Sequence, residues 1–243
     1  MCPFRCSFGF WIFDTMLFGD DCMTNLYDLG FLEGIIGETI VSTYDVDGQA
    51  TAAPMGIVVE SNERLRIRPY TSSLTYKNLQ ANRCAVVNVT SNPELFYLTA
   101  FKESNTNRKL SLELFEKAEM VDAPRLLAAD AIIEVLVAET GSFSPERAEF
   151  LCNVQLVKAS KALPTVYCRA QFATIEAIIH ATRIKPFLRG NKQEQKHAFR
   201  LLELVNVCKD VVNRTAPNSR YSEIMAELHQ RISLWKNESE SLR

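Results

Sequence analysis

Residues 38–90 read ETIVSTYDVDGQATAAPMGIVVESNERLRIRPYTSSLTYKNLQANRCAVVNVT, and this stretch decides the fold. Its first residues are β-branched or aromatic, and Asp47-Gly48 then supplies a strong hairpin turn. A second strand is expected over Thr51–Val59. Ser61-Asn62-Glu63 returns the chain into a third strand, Leu65–Tyr70, in which apolar residues alternate with arginines. The pattern predicts two consecutive antiparallel hairpins.

The hydroxyl-rich segment Thr71–Asn78 follows. It lies at the point where the third strand ends and a helix is predicted to begin, from about Ser73 to Asn82. Free N–H groups and the positive end of a helix dipole meet at such a point and suit a phosphate. Arg68 or Lys77 could supply a cation. The alternative is a plain helix cap, in which Ser72 or Ser73 only satisfies the first turn. The candidate ligand-binding residues here are Arg68, Tyr70, Ser72, Ser73, Thr75, Lys77 and Asn78.

Two further groups of candidates lie in strands. Pro54, Met55 and Gly56 sit midway along the second strand, where proline requires an edge or an interruption and glycine permits close approach to the backbone. A flat ring lying against that backbone would explain both residues, and an ordinary edge strand or bulge is the alternative. Asn88 and Thr90 end an apolar strand, where they either meet the ligand or shape the turn.

The rest of the chain supplies more strands and two helices. Residues 129–138 and 149–159 are strand-like, and residues 93–101 fit a strand or a helix. Arg169–Ile184 alternates with period two, which favours a half-buried strand and leaves a helix open. After Pro186, two amphipathic helices are expected to form an antiparallel hairpin packed on the barrel or on a partner.

Glu176 and His180 are the candidates for acid–base chemistry. They are four residues apart and share a face on a strand or a helix, so the carboxylate could orient the imidazole for proton transfer. Arg183 joins that face only if the segment is helical. The alternative is a surface or interface ion pair.

Composition excludes several classes of protein. A net charge of −2 gives no basic field for nucleic acid, and no apolar run is long enough to span a membrane. Seven scattered cysteines without a Cys-x-x-Cys pair favour reduced thiols in the cytoplasm, and no metal site is predicted. Residues 1–22 are too short and too broken by Asp14 for a clear signal peptide, so Met23 is an alternative start.

Several of these motifs, taken in order, resemble one family. They are residues 38–43 (ETIVST), 52–56 (AAPMG), 73–79 (SLTYKNL), 86–90 (VVNVT) with Pro93, Leu95 and Phe96, and 176–183 (EAIIHATR). The family is one of unknown function from archaea and some bacteria, related to the flavin-reductase-like FMN-binding split barrels. The resemblance covers about Tyr27 to Leu234.

The resemblance implies an α+β fold: a six-stranded antiparallel FMN-binding split barrel at residues 27–185, usually a homodimer with FMN near the subunit interface. Outside the resemblance, residues 1–26 are expected to form an extra or disordered N-terminal extension, and residues 186–243 the helical hairpin. Ser73, Thr75 and Asn78 would lie at the phosphate and ribityl end of FMN. Residues 54–56 would line the ring, with Asn88 and Thr90 nearby. This chain differs from many flavin reductases in one respect: Leu74 stands at the position where they often carry a lysine.

The implied function is an FMN-dependent oxidoreductase that takes hydride from a reduced nicotinamide and passes it to an acceptor that the sequence does not name. Two alternatives stay open. One is a split barrel that binds a deazaflavin or haem, and the other is a non-enzymatic flavin carrier or partner-binding protein.

Overall fold

A computed structural model describes residues 22–102, 109–160 and 168–241. Predictions for residues 1–21, and for the loop expected at Ser104–Arg108, lie outside the described residues.

Six strands close into an antiparallel barrel in the order β9-β4-β3-β2-β5-β8, because β8 also pairs with β9. The short strand β1 adds to the outside of β9, and β6 and β7 form a separate two-stranded ribbon. The strands are β1 Cys22–Met23, β2 Ile36–Tyr44, β3 Ala50–Ser61, β4 Arg64–Ile67, β5 Cys84–Val89, β6 Phe115–Lys117, β7 Pro124–Leu126, β8 Ala131–Ser144 and β9 Arg147–Ala159. Both predicted hairpins are confirmed, and Gly48 turns the first with a φ of +74°.

Five α-helices accompany the barrel in the described ranges. They are α1 Leu74–Asn82, α2 Pro93–Ala100, α3 Arg169–Leu188, α4 Lys192–Thr215 and α5 Arg220–Ser241. Asn92 caps α2 by accepting from the N–H of Glu94, and Pro93 sits in the first turn, where a missing N–H costs nothing. Residues 93–101 fit either a strand or a helix in the sequence, and the structure shows that Pro93–Ala100 is a helix.

Alternation along the strands separates one core inside the barrel from two apolar clusters on its outer face. Inward residues such as Val41, Ile57 and Phe150 fill the barrel. Ile40 and Ala52 point outward from β2 and β3, and pack in a second cluster with α2 to α5. This outer cluster fixes the helices on the β2–β3 face.

The prediction of a half-buried strand at Arg169–Ile184 is wrong, because this segment belongs to helix α3. Its buried positions follow a three-to-four residue spacing: Ala170, Thr174, Ala177, Ile178, Ala181 and Ile184. Ala173, Ala177 and Ala181 are four residues apart, so they fall in one phase of a period of two as well as near one face of a helix.

The two amphipathic helices are confirmed as α4 and α5, and α3 joins them. α4 packs mainly along α3, and α5 also contacts α3. The division at residues 26/27 and 185/186 stays a prediction, and its second boundary falls inside α3. Among the helices described here, none has the length and apolarity needed to cross a bilayer.

Candidate functional site

The first half of β3 has a free edge on the side away from β2. β4 pairs with β3 only at Ile57 and beyond, whereas Pro54 is still paired with Ile40 of β2. Proline has no N–H, so the Ile40–Pro54 pair does not exchange hydrogen bonds. The alternation of the ladder then directs the N–H of Gly56 away from β2, toward the free edge. Pro54 is expected to require an edge or an interruption of the strand, and the structure shows an edge.

The outer face of Gly56 is already covered by this chain. A β-carbon on Gly56 would lie 2.7 Å from Ile36 Cγ2 and 3.5 Å from Glu38 Oε1. The glycine is therefore explained by the close approach of Ile36, and a flat ring has access to the edge of β3 and not to this face. Met55 points the other way, into the barrel core, and its carbonyl accepts from Thr39 Oγ1 at 2.8 Å.

The N-terminus of α1 lies seven residues after Ile67, the last residue of β4. Ser73 is its N-cap, accepting from the N–H of Tyr76 at 3.2 Å and donating to the Tyr70 carbonyl at 2.7 Å. Ser73 therefore caps α1, and its contact with a ligand stays a prediction. Ser72 is exposed. Among the described contacts, the N–H groups of Leu74 and Thr75 have no protein acceptor, as expected for a first helical turn.

Asn78 carries an unsatisfied polar atom. Its Nδ2 donates to Thr43 Oγ1 at 2.9 Å, and its Oδ1 is buried with no partner among the described residues. Buried amide oxygens are nearly always satisfied, so this one marks a place where a donor from outside the chain would fit. Thr75, three residues earlier on α1, is also buried.

Arg68 and Lys77, the two residues predicted to supply a cation to a phosphate, are placed differently from that expectation. Arg68 is bound to Glu149, with Nε 2.7 Å from Oε2. Lys77 is exposed and forms no ion pair within the described ranges. Arg147 of β9, which sequence reasoning missed, lies with its guanidinium 4.1 Å from the centroid of the Tyr70 ring. Only the distant pairing of Tyr70 with Arg147 brings it here, so no local pattern could have indicated it.

Glu176 and His180 lie together on α3, with Oε1 3.3 Å from Nε2. Since α3 is a helix, Arg183 also lies near them. Burial lowers the pKa of His180, the negative charge of Glu176 opposes this, and the positive charge of Arg183 reinforces it. His180 Nδ1 is buried without a partner in the described structure.

Glu38 connects this helix to the β3 edge. Burial raises the pKa of its carboxyl group, the charges of Arg183 and Arg147 act to lower it, and that of Glu176 acts to raise it. The α3 residues and Arg147 are therefore within electrostatic range of a carboxylate that stands over Gly56.

Asn88 and Thr90 have structural roles. Asn88 is fully buried; its Nδ2 donates to the Ile40 carbonyl, and its Oδ1 accepts from the N–H of Leu126 at 2.7 Å. Thr90 Oγ1 accepts from the N–H of Asn92 and shapes the turn before α2. Thr90 therefore shapes the turn, which is one of the two roles expected for it. The ligand contact predicted for Asn88 has no free polar atom to support it, because Nδ2 and Oδ1 are both hydrogen-bonded within the protein.

A separate surface depression of about 700 Å³ lies between the end of α3 and the start of α4, lined by residues such as Phe187 and His197. None of the predicted site residues lines it. Within the described part of the chain, no three His, Cys, Asp or Glu side chains are grouped to hold a metal ion.

Comparisons with solved structures support the fold. An FMN-bound protein of the DUF447 family from Methanosarcina mazei is 24% identical, with a TM-score of 0.65 over 85% of this chain and 99% of its own. This similarity confirms the predicted six-stranded antiparallel split barrel with helices.

More distant structures are also similar. Flavoredoxin of Desulfovibrio vulgaris is 16% identical over 54% of this chain and 73% of its own, with a TM-score of 0.45. A putative flavin reductase with a split barrel domain from Shewanella frigidimarina is 13% identical over 60% and 79%, with a TM-score of 0.46. No curated protein matches the chain.

The family is shown by sequence. Residues 37–161, which include every barrel strand except the first residue of β2, match the model of the N-terminal domain of DUF447, described as a protein of unknown function. The chain belongs to the DUF447 family.

Proposed function

We propose that this chain binds FMN and acts as an oxidoreductase of the flavin-reductase type. One observation carries the proposal: β3 has an unpaired edge at Pro54–Gly56, directly before the Ile57–Ile67 pair, and α1 begins seven residues after Ile67, in a chain whose fold matches that of an FMN-bound protein. A strand edge offers amide groups to a flat heterocycle, and a helix N-terminus suits a phosphate.

The residues present fit FMN. The free N–H groups of Leu74 and Thr75, with the exposed hydroxyl of Ser72, would hold the phosphate, and Arg147 would supply the cation. The unpartnered Oδ1 of Asn78 would accept from a ribityl hydroxyl. FMN supplies the hydride chemistry when bound, whereas the protein holds it and controls access.

The finer parts of the proposal concern partners. The electron donor would be a reduced nicotinamide, and Glu176 with His180 would relay protons at the helix side of the site, 3.3 Å apart. A homodimer in the cytoplasm, as the family resemblance implies, belongs to the same proposal.

The first test is the visible absorbance of the purified protein before and after FMN is added, with NADH or NADPH added last. Flavin bands near about 370 and 450 nm that bleach with the nicotinamide support the proposal. Bands that do not bleach favour a flavin carrier, and a deazaflavin or haem spectrum favours those cofactors. A protein that takes up none of them contradicts the cofactor assignment.

Two variants test the phosphate end by titration of FMN fluorescence. We expect Arg147→Met to weaken FMN binding by about tenfold or more, because a charge-assisted contact is lost. Ser72→Ala should weaken it less. Arg214→Met and Ser233→Ala, at exposed positions on α4 and α5, are the matched controls and should bind FMN as the wild type does. Equal affinity in all four variants would contradict the assignment.

A further inference from the structure

The carboxylate of Glu38 reaches across the sheet toward the free edge of β3. Glu38 stands on β2, directly opposite Gly56 in the ladder. Its two carboxylate oxygens lie 3.5 and 3.7 Å from the position of a β-carbon on Gly56. Gly56 has no side chain to keep the carboxylate back, so the acid group lies over the strand whose edge is unpaired.

This carboxylate has charged neighbours and no bound partner. In the part of the chain that the structure describes, Glu38 makes no side-chain hydrogen bond or ion pair. The charges of Arg183 and Glu176 on α3 and of Arg147 on β9 act on it, and His180 lies beside Glu176. An unpaired carboxyl group beside a ligand site is free to exchange protons with a ligand.

The side chain can also exchange protons with water. By surface area Glu38 is exposed, although its carboxyl group lies among enough protein atoms that burial raises its pKa. The two arginines oppose this shift, and the carboxylate of Glu176 adds to it. The group thus has solvent on one side and the β3 edge on the other.

We propose that Glu38 is the proton donor of this site and protonates the acceptor that receives the hydride. The inference rests on the proposed binding of FMN. As the hydride forms a new C–H bond on the acceptor, the π bond between that carbon and its oxygen or nitrogen breaks. Glu38 supplies the proton for the new O–H or N–H bond, becomes a carboxylate, and recovers a proton from water.

This role specifies a class of substrate. The acceptor is a carbonyl or imine compound that takes two electrons as a hydride from reduced FMN and needs one proton. A carrier of single electrons needs no such acid. Because the charge of Arg183 acts on Glu38 from α3, we expect the acceptor to approach on the α3 side of the sheet.

The test uses FMN and pH as probes, because they do not require the acceptor. Affinities of oxidised and dithionite-reduced FMN are measured between about pH 5 and pH 9, and their ratio is plotted against pH. We expect the wild type to show a step in this ratio from Glu38, since a nearby carboxylate disfavours the more negative reduced form. Glu38→Gln should remove that step. A coupling of one pKa unit corresponds to about a tenfold change in the ratio.

Glu139→Gln is the matched control, since Glu139 is exposed on β8 and forms no ion pair in the described structure. The ionisation of free FMN contributes equally to all variants. Arg183→Gln should move the step to higher pH, and Glu176→Gln should move it to lower pH, because their charges act on Glu38 in opposite senses.

The outcomes separate the two proposals. A wild type that binds neither form of FMN overturns the proposed function and this inference with it. A wild type that binds both forms, with the same pH step in Glu38→Gln, overturns the role of Glu38 alone. Loss of the step in Glu38→Gln, with opposite shifts in the two neighbouring variants, supports it.

Discussion

The side-chain Oδ1 of Asn88 accepts a 2.7 Å hydrogen bond from the backbone N–H of Leu126 and so ties the β6–β7 ribbon to the barrel. The Nδ2 of the same amide donates to the Ile40 carbonyl and to Ser42 Oγ, both at 2.9 Å. One buried side chain therefore joins β5, β2 and β7.

Asn88→Ala should destabilise the fold without a direct effect on ligand binding. The change leaves the N–H of Leu126 buried and unpaired, and each such group costs about 1–3 kcal/mol. We expect the free energy of unfolding in urea to fall by about 2–4 kcal/mol. Asn153→Ala, at an exposed position on β9, is the control and should change little. Equal stability of the two variants would show that the buried amide is not structural.

Gly56→Ala tests the close approach of Ile36. The new β-carbon would lie 2.7 Å from Ile36 Cγ2, so that side chain must move, and overpacking of this kind costs about 1–3 kcal/mol. Gly141→Ala is the control, because nothing lies within 4 Å of its added carbon. Thermal unfolding should show a lower midpoint for Gly56→Ala only.

A second substitution tests whether the contact with Ile36 causes the loss of stability in Gly56→Ala. Adding Ile36→Ala to Gly56→Ala removes the colliding methyl group, so the double variant should regain stability relative to Gly56→Ala. A double variant that is less stable than Gly56→Ala by the full cost of Ile36→Ala alone would exclude this contact as the cause.

Ser73→Ala separates the capping role of α1 from ligand binding. Loss of the N-cap should reduce stability by about 1 kcal/mol, because the N–H of Tyr76 loses its acceptor. Ser72→Ala, at the exposed neighbouring position, should leave stability unchanged. Chemical unfolding of both variants without FMN measures this difference. Equal losses in the two variants would contradict the assignment of Ser73 as the cap.

His180 should make stability depend on pH. Burial lowers its pKa in the folded state, so the unfolded chain binds the proton more readily. The contribution of the neutral imidazole is complete above about pH 6.5 and is lost as pH falls through that value toward the folded pKa. Unfolding free energies compared at about pH 7.5 and pH 5.5 should therefore differ less in His180→Gln than in the wild type.

His229 on α5 provides the comparison. Burial lowers its pKa too, helped by the charges of Lys209 and Lys236, so His229→Gln should act in the same direction. If both variants keep the full pH dependence of the wild type, neither histidine is its source.

The sequence predicts the parts of this molecule that local chemistry determines. The hairpin at Asp47-Gly48 follows from turn residues between alternating strands, and α1 follows from the Ser73 cap. The α3 helix did not follow, because Ala173, Ala177 and Ala181 are four residues apart, a spacing that fits one face of a strand as well as one face of a helix.

Only part of the candidate site can be predicted from the sequence, because some of its residues come together through contacts between distant segments. Pro54 and Gly56 are visible as exceptions within a strand. Arg147 meets Tyr70 only through pairing between distant segments, and Glu38 meets the charges of α3 only through helix packing on the sheet. Asn88 looks the same in sequence whether it meets a ligand or holds β7, and only its hydrogen bonds distinguish the two.

The position of β9 in the chain has a consequence for synthesis on the ribosome. β9 closes the barrel by pairing with both β4 and β8, and Leu65 meets Cys152 across the first of these pairs. Until β9 has left the exit tunnel, the outer edge of β4 has no partner, and exposed strand edges promote association between chains. Such distant pairings also slow folding. The nascent chain is therefore most vulnerable to aggregation after β4 emerges and before β9 does.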